Sequence, residues 1–117
     1  MKLKFGHIEI FVKEPLKSKD FYIDVLGFEL IEVQHEKIVW LQSEGQTILL
    51  RPGKSRFIAD AYQQANIALV IYTDELDEAV KDISAKGVVF KGDDGVNCYT
   101  FTDPDGNWIQ MVNPKHA

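Results

Sequence analysis

Residues 99–112 read YTFTDPDGNWIQMV, two extended runs on either side of the turn sequence DPDG. Pro104 has its φ angle already set for a turn and Gly106 accepts a positive φ, so the two runs predict an antiparallel hairpin. Residues 37–50, KIVWLQSEGQTILL, have the same layout around a polar turn that contains Gly45. A strand hairpin is therefore expected to close each half of the chain.

The likeness between the two halves extends toward the amino terminus. The stretch HIEIFV at residues 7–12 matches NIALVI at residues 66–71, and each is followed by an amphipathic helical pattern that stops at a glycine, Gly27 or Gly87. The offsets are nearly constant, since 66 − 7 is 59 and 87 − 27 is 60. Such a repeat predicts an α+β fold of two tandem βαβββ modules, at about residues 1–52 and 66–117, with a linker over residues 53–65.

The helical patterns carry ordinary start and stop signals. Pro15 suits a first helical turn, and the helix that it opens is expected to turn Leu16 toward the core. The second helix is expected to be capped by Asp74, to bury Ile83 and to end at Gly87. Both helices are assigned a structural role.

Composition narrows the possible partners. The chain has 117 residues, 45% of them hydrophobic, and a formal net charge of −5. A core of this size forms without disulfides or metals, and an acidic chain is a poor match for nucleic acid. Cys98 is the only cysteine, no segment is long enough to span a membrane, and the amino terminus lacks the apolar run of a signal peptide. We therefore expect a single cytoplasmic domain that binds neither nucleic acid nor membrane.

Alternation along the strands separates a core face from a mixed face. In the first strand Ile8, Ile10 and Val12 make the core face, and His7 and Glu9 lie on the other side. The mixed face combines aromatic, polar and charged side chains, as the wall of a ligand site does. The alternative interpretation is a face that is merely solvated or is covered in a dimer. We predict a ligand cup that is lined by His7, Glu9, Trp40, Leu49, Arg51, Asn66, Tyr99, Trp108 and Gln110.

These features resemble the vicinal oxygen chelate superfamily, also called the glyoxalase, bleomycin-resistance and extradiol dioxygenase fold. The resemblance rests on the two modules, the opening HIEIFV, the helix phrase DFYIDVLGF at residues 20–28 and the ending DPDGN at residues 103–107. It covers almost the whole chain and implies a curved mixed sheet that forms a ligand cup, with the helices on its outer face. It does not decide the activity, because the superfamily includes isomerases, dioxygenases, thiol transferases, epimerases and metal-free drug-binding proteins.

The metal-dependent members of that superfamily take one ligand from the first strand and one from the last strand of each module. Carried over by position, the resemblance assigns His7, Leu49, Asn66 and Gln110 to these four places. His7 is the only strong ligand among them, since Leu49 has no donor atom and neutral amides bind transition metals weakly. Glu9, two residues from His7, could add a carboxylate. We therefore expect no bound metal and no cofactor.

The sequence thus favours a metal-independent small-molecule-binding protein of the bleomycin-resistance type, protective by sequestration. A metal-dependent lyase, isomerase or dioxygenase with a degenerate ligand set is one alternative, and a non-enzymatic interaction protein is another. No catalytic residue is assigned, because His7 beside Glu9 suits a general base but also a hydrogen-bonded wall residue. Trp40 and Trp108 suit either ligand stacking or core packing. Each module alone leaves an open sheet edge, so we expect a homodimer whose modules pair within one chain or across two chains.

Overall fold

The computed structural model describes residues 2–54, 57–91 and 99–116, and Cys98 lies outside this part of the chain. The chain forms two compact units, Met1–Arg56 and Phe57–Ala117. Both units combine strands with helices, which confirms the predicted α+β class. Within the described residues, no helix has the length and the apolar content needed to cross a membrane.

The described residues of the first unit form a four-stranded sheet and a helix that packs on it. Its strands are β1 (Ile8–Val12), β2 (Glu29–Gln34), β3 (Ile38–Ser43) and β4 (Gln46–Pro52). They lie in the order β1-β4-β3-β2, with β1 parallel to β4 and the other pairs antiparallel. Helix α1 (Pro15–Asp20) continues into a π-helical turn (Phe21–Val25) and packs on β3 and β4.

Helix α1 begins where the sequence predicts, with Pro15 in its first turn. A proline costs little there, because the first N–H groups of a helix have no partner within it. The helical segment ends before Gly27, whose φ of +76° favours glycine. The buried positions are Pro15, Ser18 and Tyr22, and this spacing of three and four leaves Leu16 on the solvent side, 43% exposed. The expectation that Leu16 faces the core is therefore wrong.

One face of the first sheet forms the core of its unit. Val12 on β1, Val39 and Leu41 on β3, and Leu50 on β4 are each no more than 1% exposed. Successive side chains of a strand point to opposite faces, so the residues between them form the predicted mixed face. The hairpin predicted between β3 and β4 forms through the two-residue loop 44–45, in which both residues have positive φ.

The described residues of the second unit form a three-stranded sheet in the order β5-β7-β6, with β5 parallel and β6 antiparallel to β7. Its elements are a 3₁₀ turn (Tyr62–Gln64), β5 (Leu69–Tyr72), α2 (Leu76–Ala85), β6 (Tyr99–Thr102) and β7 (Trp108–Val112). The arrangement repeats the β1-β4-β3 part of the first sheet. Residues 86–91 belong to no strand, and the following residues 92–98 lie outside the described part of the chain, so the fourth strand of this module stays a prediction.

Helix α2 follows its predicted pattern at the apolar stripe and at its end, but not at its start. Ile83 is buried, and Gly87 follows the helix with a φ of +95°. Asp74 does not cap the helix, because α2 starts one residue too late for that role and no described side chain caps it. Instead, the Thr73 hydroxyl accepts a hydrogen bond of 3.1 Å from the backbone N–H of Glu75.

Strand pairing sets the correspondence between the two copies. Ile8 pairs with Ile48 and Leu69 pairs with Ile109, and both pairs are 40 residues apart, since 48 − 8 and 109 − 69 are equal. The difference in residue number between corresponding positions of the two modules must therefore be the same for the first strand as for the last strand. The sequence matches His7 with Asn66, a difference of 59, but Leu49 with Gln110, a difference of 61, since 110 − 49 is 61. The strand predicted over residues 66–71 accordingly begins late, at Leu69.

A buried carboxylate builds the turn between β6 and β7. Asp103 is 3% exposed, and its Oδ1 accepts hydrogen bonds from the backbone N–H groups of Asp105 and Asn107, each at 2.9 Å. Its Oδ2 accepts a third hydrogen bond, also of 2.9 Å, from the side-chain amide of Asn107. Gly106 takes the positive φ, +89°, that the sequence predicts for it. Proline and glycine thus shape the turn, and Asp103 closes it.

Replacing Asp103 with Ala should lower the free energy of unfolding by about 2 to 3 kcal/mol, because two backbone N–H groups lose a charged acceptor in a buried place. Asp74→Ala is the matched control: it removes the same charge from an exposed residue and should change that free energy by less than about 0.5 kcal/mol. Urea unfolding of both variants measures the difference. Equal losses in the two variants would mean that the turn does not depend on Asp103.

Candidate functional site

The mixed face of the first sheet aligns three of the predicted site residues in one row. Glu9 pairs with Leu49 across β1 and β4, and Leu49 pairs with Trp40 across β4 and β3. Paired residues of neighbouring strands have their side chains on the same face, so these three stand side by side. Arg51 lies two residues after Leu49 on that face, and His7 precedes β1 by one residue.

Glu9 is the centre of this row's polar contacts. Its Oε1 accepts a hydrogen bond of 2.8 Å from Arg51 Nε, and its Oε2 lies 3.1 Å from His7 Nε2, which donates when it carries a proton. The hydrogen bond from His7, and then that from Arg51, hold the pKa of Glu9 below its ordinary value. Glu9 is therefore an ionised carboxylate at neutral pH, bound on both sides by nitrogen donors.

The rings of Trp40 and His7 meet across the middle strand of this face. Their centroids are 4.7 Å apart, and their planes are inclined at 60°. Because Trp40 is on β3 and His7 adjoins β1, the contact crosses β4, where Leu49 is only 1% exposed. Trp40 Nε1 donates a hydrogen bond of 3.0 Å to Gln34 Oε1, which orients the indole. Sequence reasoning missed Gln34, although its place at the end of the strand next to β3 could have indicated it.

On the second sheet, the mixed face carries Trp108 and Gln110. Thr102 pairs with Trp108 and Thr100 pairs with Gln110, so these four side chains share one face. Asn66 is exposed and lies three residues before β5, outside the pairing that contains Gln110. The structure therefore brings Trp108 and Gln110 to the predicted face and leaves Asn66 apart from their strand ladder.

Tyr99 lies on the opposite face from the one predicted. It pairs with Met111, which belongs to the buried core, whereas its neighbour Thr100 pairs with Gln110. A difference of one residue reverses the face in a strand, which is why the placement of Tyr99 is wrong. Its ring packs against Phe90, with centroids 5.3 Å apart, and borders a separate surface cavity of about 540 Å³ beside the first turn of α2.

Trp108 is enclosed by its own chain. It is 4% exposed, and its Nε1 donates a hydrogen bond of 2.8 Å to the backbone carbonyl of Ala59. The Tyr62 ring meets the indole nearly at right angles, with centroids 6.2 Å apart. Of the two roles that the sequence leaves open for Trp108, this arrangement corresponds to core packing.

One cation on the second mixed face was not found from the sequence. Lys91 Nζ donates a hydrogen bond of 3.1 Å to Thr102 Oγ1 and lies 5.5 Å from the centroid of the Trp108 ring. The backbone N–H of Lys91 also bonds the carbonyl of Thr100 at 2.8 Å. Lys91 follows no strand pattern in the sequence, so only the fold could place it here.

The donors on the first mixed face do not fit a divalent transition metal. Leu49, in the middle of the row, offers no donor atom, and both oxygens of Glu9 are engaged by nitrogen donors. The Arg51 guanidinium beside this carboxylate also repels a dication. Among the residues that the structure describes, no group of three or more His, Cys, Asp and Glu could hold a metal ion.

The pKa of Glu9 should lie below that of an ordinary glutamate in an NMR pH titration of its carboxyl group. Because the folded-state pKa is the lower one, the contribution of Glu9 to stability is complete above the unfolded pKa and disappears as the pH falls through the folded pKa. His7→Ala and Arg51→Met should each raise this pKa. Lys37→Met removes an equal charge from an exposed turn and should leave the pKa of Glu9 unchanged. If Lys37→Met raised this pKa as much as Arg51→Met does, the shift would come from the overall charge of the protein and not from the contact with Arg51.

Several solved structures have the same fold as this chain. The fosfomycin resistance protein FosX from Listeria monocytogenes is 21% identical, with 95% of this chain and 91% of that chain covered and a TM-score of 0.78. Lactoylglutathione lyase from Agrobacterium tumefaciens is 20% identical, with 98% and 96% covered and a TM-score of 0.71. An integron cassette protein from the mobile metagenome of the Halifax Harbour sewage outfall is 25% identical, with 92% and 97% covered and a TM-score of 0.68.

A comparison with curated proteins gives no significant match. A family model, by contrast, matches residues 4–111, which is nearly the whole chain. The match confirms the resemblance identified from the two modules and their motifs. The protein belongs to the Glyoxalase/Bleomycin resistance protein/Dioxygenase superfamily.

Proposed function

We propose that this protein binds a small organic molecule without a metal and protects by sequestration. The observation that carries the proposal is the cluster of His7, Glu9, Trp40 and Arg51 on the first mixed face, in which Glu9 bonds both His7 and Arg51. A metal site needs imidazole and carboxylate lone pairs directed at the cation. Here these groups are directed at each other and at a guanidinium, which suits a hydrogen-bonding wall for a ligand.

The chemistry of this cluster favours a planar ligand with hydrogen-bond acceptors. Trp40 and His7 supply aromatic surface, and the Arg51 side chain is 41% exposed. Arg51 uses its Nε for Glu9, and in the described part of the chain its two terminal nitrogens remain as donors. Because Arg51 already balances the charge of Glu9, an ammonium ligand gains less from this face than a ligand with a carbonyl or carboxylate group.

We also infer a homodimer. β1 is an edge strand of the first sheet and β5 is an edge strand of the second, and both carry exposed apolar side chains, such as Phe11 at 52% and Val70 at 46%. Sheet edges that carry exposed apolar side chains favour association with another strand. The dimer has two predicted forms, one with the modules paired within one chain and one with the modules paired across two chains.

A metal-dependent enzyme is the second candidate function. It is favoured by His7, the one strong ligand at the four places that the family resemblance assigns, which lies beside the carboxylate of Glu9. The structures that share the fold include a lactoylglutathione lyase and a FosX mutant complexed with Mn(II) and 1S,2S-dihydroxypropylphosphonic acid, so both catalysis and metal binding have precedents in this fold. Metal content separates the two candidates.

Purified protein should contain only substoichiometric zinc, nickel, iron or manganese, and EDTA should leave its melting temperature unchanged, because the described donors do not form a metal site. Elemental analysis and thermal unfolding with and without the chelator are the measurements. One tightly held metal per chain would replace the binding proposal with the enzyme. His7→Ala and Glu9→Gln would then show which ligands hold it.

Trp40→Ala should weaken the binding of the best compound from a thermal-shift panel of aromatic acids and amides by about 1 to 3 kcal/mol, through the loss of aromatic contact. Trp108→Ala should instead lower the free energy of unfolding by about 3 to 5 kcal/mol, because Trp108 is buried. Calorimetric titration and urea unfolding of both variants separate the two effects. A panel without any hit would favour the interaction protein.

A further inference from the structure

A segment that precedes β5 lies over the mixed face of the second sheet. Residues 57–62, here called the strap, include Ala59, which is 7% exposed and accepts the hydrogen bond from Trp108 Nε1. They also include Tyr62, whose ring packs against the same indole. The hydrogen-bonded residues are 49 positions apart in sequence. The strap therefore occupies the space beside the Trp108 ring.

A close approach at Gly106 holds another part of the strap in place. A Cβ atom added to Gly106 would lie 2.5 Å from Ile58 Cγ2 and 3.3 Å from Ile58 Cγ1 and Cδ1. Carbon atoms do not pack as closely as 2.5 Å, so a side chain at residue 106 and Ile58 in its present position would compete for the same space. The DPDG turn thus serves both the β6–β7 hairpin and the docking of the strap.

Among the residues that the structure describes, the strap takes part in no strand pairing. Residues 57–59 belong to no strand, and the backbone hydrogen bonds described for the following turn are local. Phe57 and Ile58 are 69% and 55% exposed. A segment outside the strand ladders with exposed side chains opens at a lower free energy than the sheet beneath it.

We propose that the strap is a displaceable cover over a ligand face of the second unit. The docked strap shields Trp108. When the strap is lifted, the indole and the nearby Lys91 ammonium are exposed and bind a planar aromatic anion. Strap and ligand therefore compete for one place. The inference rests on the proposed function only in extending ligand binding from the first mixed face to the second, and it needs no particular natural ligand.

Gly106→Ala tests the cover, because the added carbon overlaps Ile58 and forces the strap away from the turn. The Trp108 indole N–H should then exchange with solvent at least roughly tenfold faster by NMR, and the aromatic anion anilinonaphthalene sulfonate should bind several-fold more tightly. The double variant Ile58→Ala with Gly106→Ala is the matched control. It keeps the backbone strain at residue 106 but removes the overlapping atoms, so both readouts should return toward wild-type values.

Two measurements separate lifting of the strap from loss of the fold. Protection of the backbone amides in β6 and β7 from exchange reports whether the hairpin is intact. Lys91→Met in the Gly106→Ala background should weaken dye binding again. Dye that binds only to a loosened core would not depend on Lys91. An intact hairpin with unchanged indole exchange and dye binding overturns the inference. If the hairpin unfolds in Gly106→Ala, the variant Trp108→Phe tests the cover instead, because it removes the hydrogen bond to Ala59 and keeps an aromatic ring. Dye binding by Trp108→Phe at the wild-type level would then refute the cover.

Failure of the proposed function has a different signature. It would appear as a tightly held metal, or as a compound panel without hits, and neither result changes indole exchange or dye binding in the strap variants. Conversely, a strap that does not lift leaves ligand binding at Glu9 and Trp40 unaffected. The two conclusions can therefore fail separately.

Discussion

Parallel pairing between the first and last strands of each unit is the constraint on which the rest of the structure depends. Parallel strands cannot be joined by a tight turn, so a helix and further strand segments lie between β1 and β4, and a helix and β6 lie between β5 and β7. The register is the same in both units, with partners 40 residues apart in each. This register decides which side chains stand next to each other on the two mixed faces.

The two mixed faces share a register but have different covers. On the first, the contact between His7 and Trp40 crosses β4 and leaves the Glu9 carboxylate accessible beside it. On the second, Trp108 is covered by the strap. A buried indole N–H needs an acceptor, and the Ala59 carbonyl supplies it from within the chain. The same strand pattern therefore produces an open polar cluster in one unit and a closed aromatic one in the other.

Charge on the first mixed face is balanced locally, although the chain as a whole is acidic, with a net charge of −5. Arg51 and His7 both contact Glu9, and all three side chains are partly exposed. Exposed ion pairs contribute little to folding, so the value of this group is positional: it fixes where donors and acceptors lie on the sheet. The fixed guanidinium is also the reason that the carboxylate is poorly suited to serve a metal ion.

Local chemistry in the sequence was sufficient for the strand alternation, the helix that starts at Pro15, the turn at Gly106 and the family, because turn residues and periodicity act over a few neighbours. It was insufficient for contacts between distant residues. The bond from Arg51 to Glu9 joins residues 42 positions apart, and that from Trp108 to Ala59 joins residues 49 apart. Neither follows from a local pattern.

Strand register explains the errors that concern the strands. Tyr99 was assigned to the wrong face and the start of β5 was placed three residues early, at Asn66, because a period of two does not say which residue opens a strand. That choice is made by the pairing partner, Met111 for Tyr99 and Ile109 for Leu69, and the partner is known only once the strands are side by side. Sequence therefore determined the kinds of residues on each mixed face, and long-range pairing determined which of them meet.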